Sequence, residues 1–150
     1  METLFDPARV EEVKQRLQQL RPESERLWGR MQPEQMLAHC TAGLEMAMGE
    51  IRPPRSLIGR LIGPAVKRVA LRDKEPMRRN SPTARELIVE APGDFAAERD
   101  RLLGAMDCFA AAGPAGCTSH PHTFFGRLAP EEWAVLMYKH LDHHLRQFGA

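Results

Sequence analysis

No apolar run in the sequence approaches the roughly 20 residues that a helix needs to cross a bilayer, so a transmembrane anchor is not expected. The N-terminus, Met-Glu-Thr-Leu-Phe-Asp, has neither the basic start nor the apolar core of a secretory signal. Cysteine is scarce and unpaired. Cys40, Cys108 and Cys117 are odd in number and match no CxxC or zinc-ribbon spacing, so a reducing, cytoplasmic setting is expected. Net charge is also lacking: the formal charge is +1, and no global field draws the chain towards nucleic acid or acidic ligands. Charge arguments must therefore be local. Internal repeats and low-complexity tracts are absent as well, which excludes a solenoid.

What is present is helical periodicity. The 150 residues suit a single domain burying about two-thirds of its unfolded surface. Asp6-Pro7 reads as a cap followed by proline at the first helical position, and Val10, Val13, Leu17 and Leu20 repeat at helical spacing, predicting a helix over 7–20. Residues 21–32 are polar apart from Leu27, Trp28 and Met31, which are expected to cover one end of the fold. Pro33 opens a helix over 33–49 with Met36, Cys40, Gly43, Leu44 and Ala47 on its apolar face and Glu34, Thr41 and Glu45 on a wet one. Asp94 caps a third, 95–112, which Gly113-Pro114 stops. Pro130 opens a fourth, 130–148. The expected fold is all-α, a four-helix bundle.

Between the second and third helices, prolines at 53, 54, 64, 76, 82 and 92 break the periodicity, predicting a long crossover with no helix of its own. Residues 52–79 hold nine Lys or Arg against Asp73 and Glu75. The stretch 56–71 is basic and partly amphipathic, a pattern that suits phosphate or anionic lipid, although solvated basic loops are commoner. Leu87-Ile88-Val89 reads as an extended segment lying on the bundle.

The fourth helix carries His140, His143 and His144. At about 100° per residue, with Trp133 set at zero, Met137, His140, His144, Gln147 and Phe148 all fall within about 60° of it. Lys139, Asp142 and Arg146 gather opposite, on an expected solvent face. A buried imidazole without a partner costs on the order of 1–3 kcal/mol, so two on the inner stripe need a reason. Their i, i+4 spacing lets both rings converge on one divalent ion. His39 lies on the inner flank of the second helix, about 9 Å from its start, and His144 about 8 Å from the end of the fourth. With those helices antiparallel, His39, His140 and His144 share one level. His120 and His122 fall at the far end and are left out of the ligand set.

His140-x-x-x-His144-x-x-Gln147, with a lone histidine early in the second helix, resembles the DinB-like metal-binding bundles. Trp28-Gly29-Arg30-Met31 to His39, and Phe125-Gly126 to Trp133, add to the likeness, which covers roughly half of the chain. The resemblance implies an up-down-down-up bundle in which His39, His140 and His144 hold a divalent ion: zinc, nickel, iron or cobalt. Relatives of that kind include metal-dependent thiol S-transferases and a thiol-dependent isomerase. The implied function is a metal-dependent enzyme, transferase or hydrolase, that activates a low-molecular-weight thiol or water. The alternative is a non-catalytic bundle with a structural or vestigial metal site, acting as a binding module. Gln147, one turn beyond His144, is placed to hydrogen-bond a ligand or substrate. A small-molecule substrate is the expected partner, nucleic acid is not, and a homodimer stays open. The later part of 50–92 is expected to overhang the ion as a lid, with Arg72, Arg78 and Arg79 attracting an anionic substrate.

Overall fold

Each long helix begins where the sequence supplies a cap or a proline. The computed structural model describes residues 2–72, 76–81 and 83–150, without the side chain of Arg72. In α1 (Pro7–Gln19) the Asp6 carboxylate accepts from the Ala8 amide at 2.9 Å, satisfying a donor that the first turn leaves free. Pro33 starts α2 (Pro33–Met48), where the Gln35 side chain reaches back to the Gln32 amide at 2.9 Å, and Gly49 ends the helix in the left-handed region. Asp94 caps α4 (Phe95–Ala112) through the Ala97 amide at 2.9 Å. Pro130 opens α5 (Pro130–Gln147), with Glu132 accepting from the Ala129 amide at 2.8 Å. These four agree with the sequence reading to within a residue or two.

The fifth helix does not. Leu57–Arg72 form α3, inside the stretch expected to be a helix-free crossover. Pro64 sits within it, where its missing N–H breaks a single rung of the ladder. The helix tolerates this because Pro64 and Arg60, whose carbonyl loses that bond, both face solvent. Two 3₁₀ turns, Arg85–Leu87 and Gly113–Gly116, complete the elements. Among the described residues the chain is all-helical with no strand; an isolated bridge pairs His122 with Gly126.

The core is made by α1, α2, α4 and α5, through Val13, Leu17, Met36, Leu37, Leu44, Leu102, Met106, Phe109, Trp133 and Leu141. Both α1 and α2 pack on α4 and on α5. The expected wet face of α2 is corrected in part: Thr41 is buried, and its hydroxyl donates to the Leu37 carbonyl at 3.0 Å, which is how it tolerates the interior. The solvent face of α5 is corrected too. Asp142 is buried against α1, where Arg16 reaches it at 2.9 Å while Arg146 holds its other oxygen at 2.8 Å. Of the three apolar residues before α2, Leu27 points outward, 67% exposed, while its amide donates to the Gln147 carbonyl at 2.7 Å. Leu87 ends a 3₁₀ turn and is buried, and the extended segment starts only after it. No described helix is long and apolar enough to cross a membrane.

Candidate metal centre

Periodicity turns His140 and His144 of α5 inward, and α2 brings His39 to meet them. The three ring centroids form a triangle with sides of 4.8 Å. One nitrogen from each ring lies within 4.8 Å of the other two, so the cluster can hold a metal ion. Neighbouring carbonyls decide which nitrogen each ring offers. His39 Nδ1 lies 2.8 Å from the Leu87 carbonyl, which can only accept, so Nδ1 carries the proton and Nε2 keeps its lone pair. A two-step relay does the same for His144. Gln147 Nε2 donates to the Trp28 carbonyl at 2.8 Å, which fixes the amide so that Oε1 accepts from His144 Nδ1 at 2.8 Å. His144 is thereby left with a bare Nε2.

His39 Nε2 and His140 Nε2 are 2.8 Å apart. With His39 bare at that atom, the contact requires His140 to donate, and one proton then holds the two rings together. To offer Nε2 to an ion, His140 would carry its proton on Nδ1 instead, and the two rings would part slightly. The donor set fits a borderline divalent metal, since it comprises three imidazoles and no thiolate or carboxylate among the described residues. Cys40 is next to His39 in sequence but turns its Sγ to Met36, and burial pushes its thiol up.

Burial is the main force on the charge state of these rings. It lowers His39, against a smaller upward pull from the Leu87 carbonyl. His140 is held well below the usual imidazole value by burial and then by its neighbours His144 and His39. His144 is pushed down to about 3 by burial and His39. All three are therefore neutral near pH 7, the state in which imidazole binds metal. Two glycines make room. A Cβ on Gly43 would lie 3.1 Å from His140 Nδ1 and Cε1, and a Cβ on Gly29, whose φ is +77°, would collide with the Gln147 amide on its way to Trp28.

Around this triangle, His143 packs at 5.0 Å from His144 and 5.7 Å from the Trp28 ring, and burial lowers its pKa against an upward pull from the Met77 backbone. The Arg79 guanidinium covers the other part of the Trp28 ring at 4.0 Å. Residues 77–79 thus lie beside the cluster; Arg78 is exposed, and the Arg72 side chain falls outside the described residues. His120 and His122 are not part of the triangle, although His122 is near enough to His140 to add to the lowering of its pKa. His120 reaches the Pro53 carbonyl at 3.4 Å, and His122 Nδ1 accepts from the amides of Phe124 and Phe125 at 3.1 Å. Of the groups behind the three rings, sequence reasoning found Gln147 and missed the others. The Leu87, Trp28 and Met77 contacts are made by main-chain atoms, which leave no trace in residue type.

No curated protein and no solved structure matches the chain. A family model described as a protein of unknown function, DUF1569, matches residues 5–150, and the chain belongs to that family.

Proposed function

We propose that the chain is one DinB-like domain, a metal-dependent enzyme in which His39, His140 and His144 hold one divalent ion. The observation that carries this is the relay behind the ligands. Leu87 and the Gln147–Trp28 pair each commit an Nδ1–H outward, which leaves the Nε2 lone pairs of His39 and His144 free beside the His140 ring. Rings placed merely to fill space have no need of such outer partners. The up-down-down-up arrangement is supported by contacts at both ends of the bundle. The Leu4 amide bonds to the Ala134 carbonyl at 3.2 Å and Arg16 to Asp142 at 2.9 Å, so α1 runs alongside α5. Gly43 faces His140 while His39 faces His144, so α2 opposes α5. Leu87, before α4, sits at His39, and the Thr118 amide, after it, bonds to the Ala47 carbonyl at 2.8 Å, which supports α4 running parallel to α2.

When bound, the ion would supply Lewis acidity, lowering the pKa of a thiol or water near neutral pH. The chain's own residues then have three jobs. Neutral His39, His140 and His144 donate lone pairs without adding negative charge, which preserves the ion's pull on a substrate atom. Gln147 and Leu87 keep those rings in one tautomer. Arg79, stacked on Trp28 beside the cluster, supplies positive charge for an anionic thiol substrate. The acid nearest in sequence, Asp142, is committed to Arg16 and Arg146, so among the described residues no carboxylate joins the cluster to take a proton released there. We therefore favour thiol S-transfer, whose nucleophile ionises readily, over hydrolysis.

Elemental analysis of the purified chain is expected to find about one divalent ion, lost in His39→Ala, His140→Ala and His144→Ala and kept in His120→Ala. A screen of low-molecular-weight thiols with electrophilic acceptors is expected to show activity that follows metal content. Full occupancy in a His39→Ala/His140→Ala double variant would sink the ligand assignment. The absence of a carboxylate among the described cluster residues gives a second reading its one support: a structural ion in a partner-binding bundle. Metal bound in full, with no thiol-dependent turnover in the screen, would favour that second reading.

A further inference from the structure

The apolar side of α3 has no partner in the fold. Leu57, Ile58, Leu61 and Val69 are between 64% and 84% exposed, with Ile62 at 48% and Val66 at 37%. Because these positions recur at 57, 58, 61, 62, 66 and 69, about 100° per residue gathers them on one half of the helix. Single exposed leucines are ordinary, but six aliphatic residues on one continuous face form a patch of the kind that marks an interaction surface.

The opposite side explains why this face stays out. Gly59 and Gly63 pack against the backbone of Phe124 so closely that a Cβ on either would collide with it. Lys67 bonds to the Arg127 carbonyl and to Glu132 at 3.1 Å, and Leu71 is buried. Rotating the helix to bury its aliphatic face would give up the glycine contacts, the Lys67 pair and Leu71 together. The register is thus fixed by the small side, with the large apolar side facing outward.

The charge of the helix identifies what covers that face. α3 contains Arg60, Lys67, Arg68 and Arg72 and no acidic residue. Exposed Arg68 borders the aliphatic face beside Leu57 and exposed Arg60 lies about 60° beyond that edge, and Arg52, Arg78 and Arg79 in the flanking segments are exposed as well. A second copy would set these same cations against each other. Nucleic acid would meet aliphatic side chains at the centre of the surface, where stacking or phosphate contacts are needed. A surface with apolar depth and negative charge at its rim satisfies both features. We propose that α3 is a docking helix for an anionic lipid bilayer, lying in the interface plane with Leu57, Ile58, Leu61, Ile62 and Val69 in the acyl boundary and Arg60 and Arg68 at the headgroups.

The test uses the full chain and vesicles of phosphatidylcholine alone or with 30% phosphatidylserine, read by co-flotation. The mixed vesicles are expected to retain the chain at least about 10-fold better than the neutral ones, and retention is expected to fall as salt rises. Leu57→Gln/Leu61→Gln changes two exposed side chains, so helical content should be preserved while retention drops by about 10-fold or more; Arg60→Gln/Arg68→Gln is expected to cost a similar factor only on the charged vesicles. A third variant, Ile62→Trp, is expected to show a blue-shifted emission with mixed vesicles. Equal retention of wild type and Leu57→Gln/Leu61→Gln, or no retention on charged vesicles, overturns the proposal. So does a dimer in solution that Leu57→Gln/Leu61→Gln dissociates, since the face would then belong to a second copy.

Discussion

Gln147 shows how much can rest on a residue that need not touch the metal. It joins the His144 ring to the Trp28 carbonyl, and each half of its amide is needed, the oxygen to hold Nδ1–H and the nitrogen to meet a main-chain acceptor. Gln147→Leu keeps the size and removes both bonds, so His144 is free to swap tautomers. Metal affinity is expected to fall about 10–100-fold, as measured by competition with a chromophoric chelator. Gln147→Glu keeps an acceptor for Nδ1–H, so affinity should be held or raised while the contact to Trp28 is lost. An unchanged affinity in Gln147→Leu would show the relay to be idle. His122 makes the opposite use of an imidazole, with a bare Nδ1 accepting from two amides. Burial and then Arg55 hold it down at about 4. Because this folded value lies below the ordinary imidazole value of about 6.5, the unfolded chain binds the extra proton first. The contribution is complete above about pH 6.5 and is lost as pH falls towards 4. His122→Asn keeps an acceptor for both amides and does not titrate. Its urea-unfolding stability should therefore decline less between pH 6.5 and 4.5 than that of wild type, and identical slopes would contradict this. The three clustered histidines were legible in the sequence because polar rings on an inner stripe demand a reason. Of their orienting partners only Gln147 was legible, one turn beyond His144, since a carbonyl of Leu87 or Trp28 looks like any other carbonyl.

At the scale of elements, four helices were readable to within a residue or two, and the fifth was not. Leu57, Ile58, Leu61, Ile62, Val66 and Val69 carry a helical period, but Pro64 and the prolines on either side of the stretch argued against a helix there. Tertiary contact overrides that local preference. Gly59 and Gly63 are what allow α3 to approach the 124–125 backbone, and Lys67 and the Lys139 bond to the Ala70 carbonyl hold it there. Propensity counts glycine as a cost, whereas here the missing side chain is the contact. A Cβ at Gly63 would strike the Phe124 carbonyl oxygen, so Gly63→Ala must push α3 or the loop aside. A loss of about 1–3 kcal/mol in urea unfolding is expected. Gly104 in α4 has nothing within 4 Å of its would-be Cβ, and Gly104→Ala should be neutral or stabilising by up to about 1 kcal/mol. If Gly63→Ala matched Gly104→Ala, the close approach of α3 would be wrong.

Over the whole molecule, the question is whether the ion or the apolar core holds the chain together. The histidine cluster lies where α2 meets α5, and the core continues away from it through Val13, Leu17, Leu44, Leu102, Met106, Phe109 and Trp133, each at most 1% exposed. Four helices contribute to that core, and one proton shared between His39 and His140 can join their rings without metal. The chain is therefore expected to stay packed without an ion, unlike a zinc finger, whose folding energy is its metal affinity. Far-ultraviolet circular dichroism at 25 °C should be unchanged by a chelator. The thermal midpoint should still rise when metal is restored, because anything that binds only the folded state stabilises it by mass action. At a free ion concentration 100 times its Kd, that amounts to about 2.7 kcal/mol, or roughly 5–10 °C for a chain of this size. His39→Ala should keep the helical signal and lose the metal-dependent rise. Loss of helix on chelation would mean that the α2–α5 contact fails without the ion, and the cluster would then have to be read as a structural site.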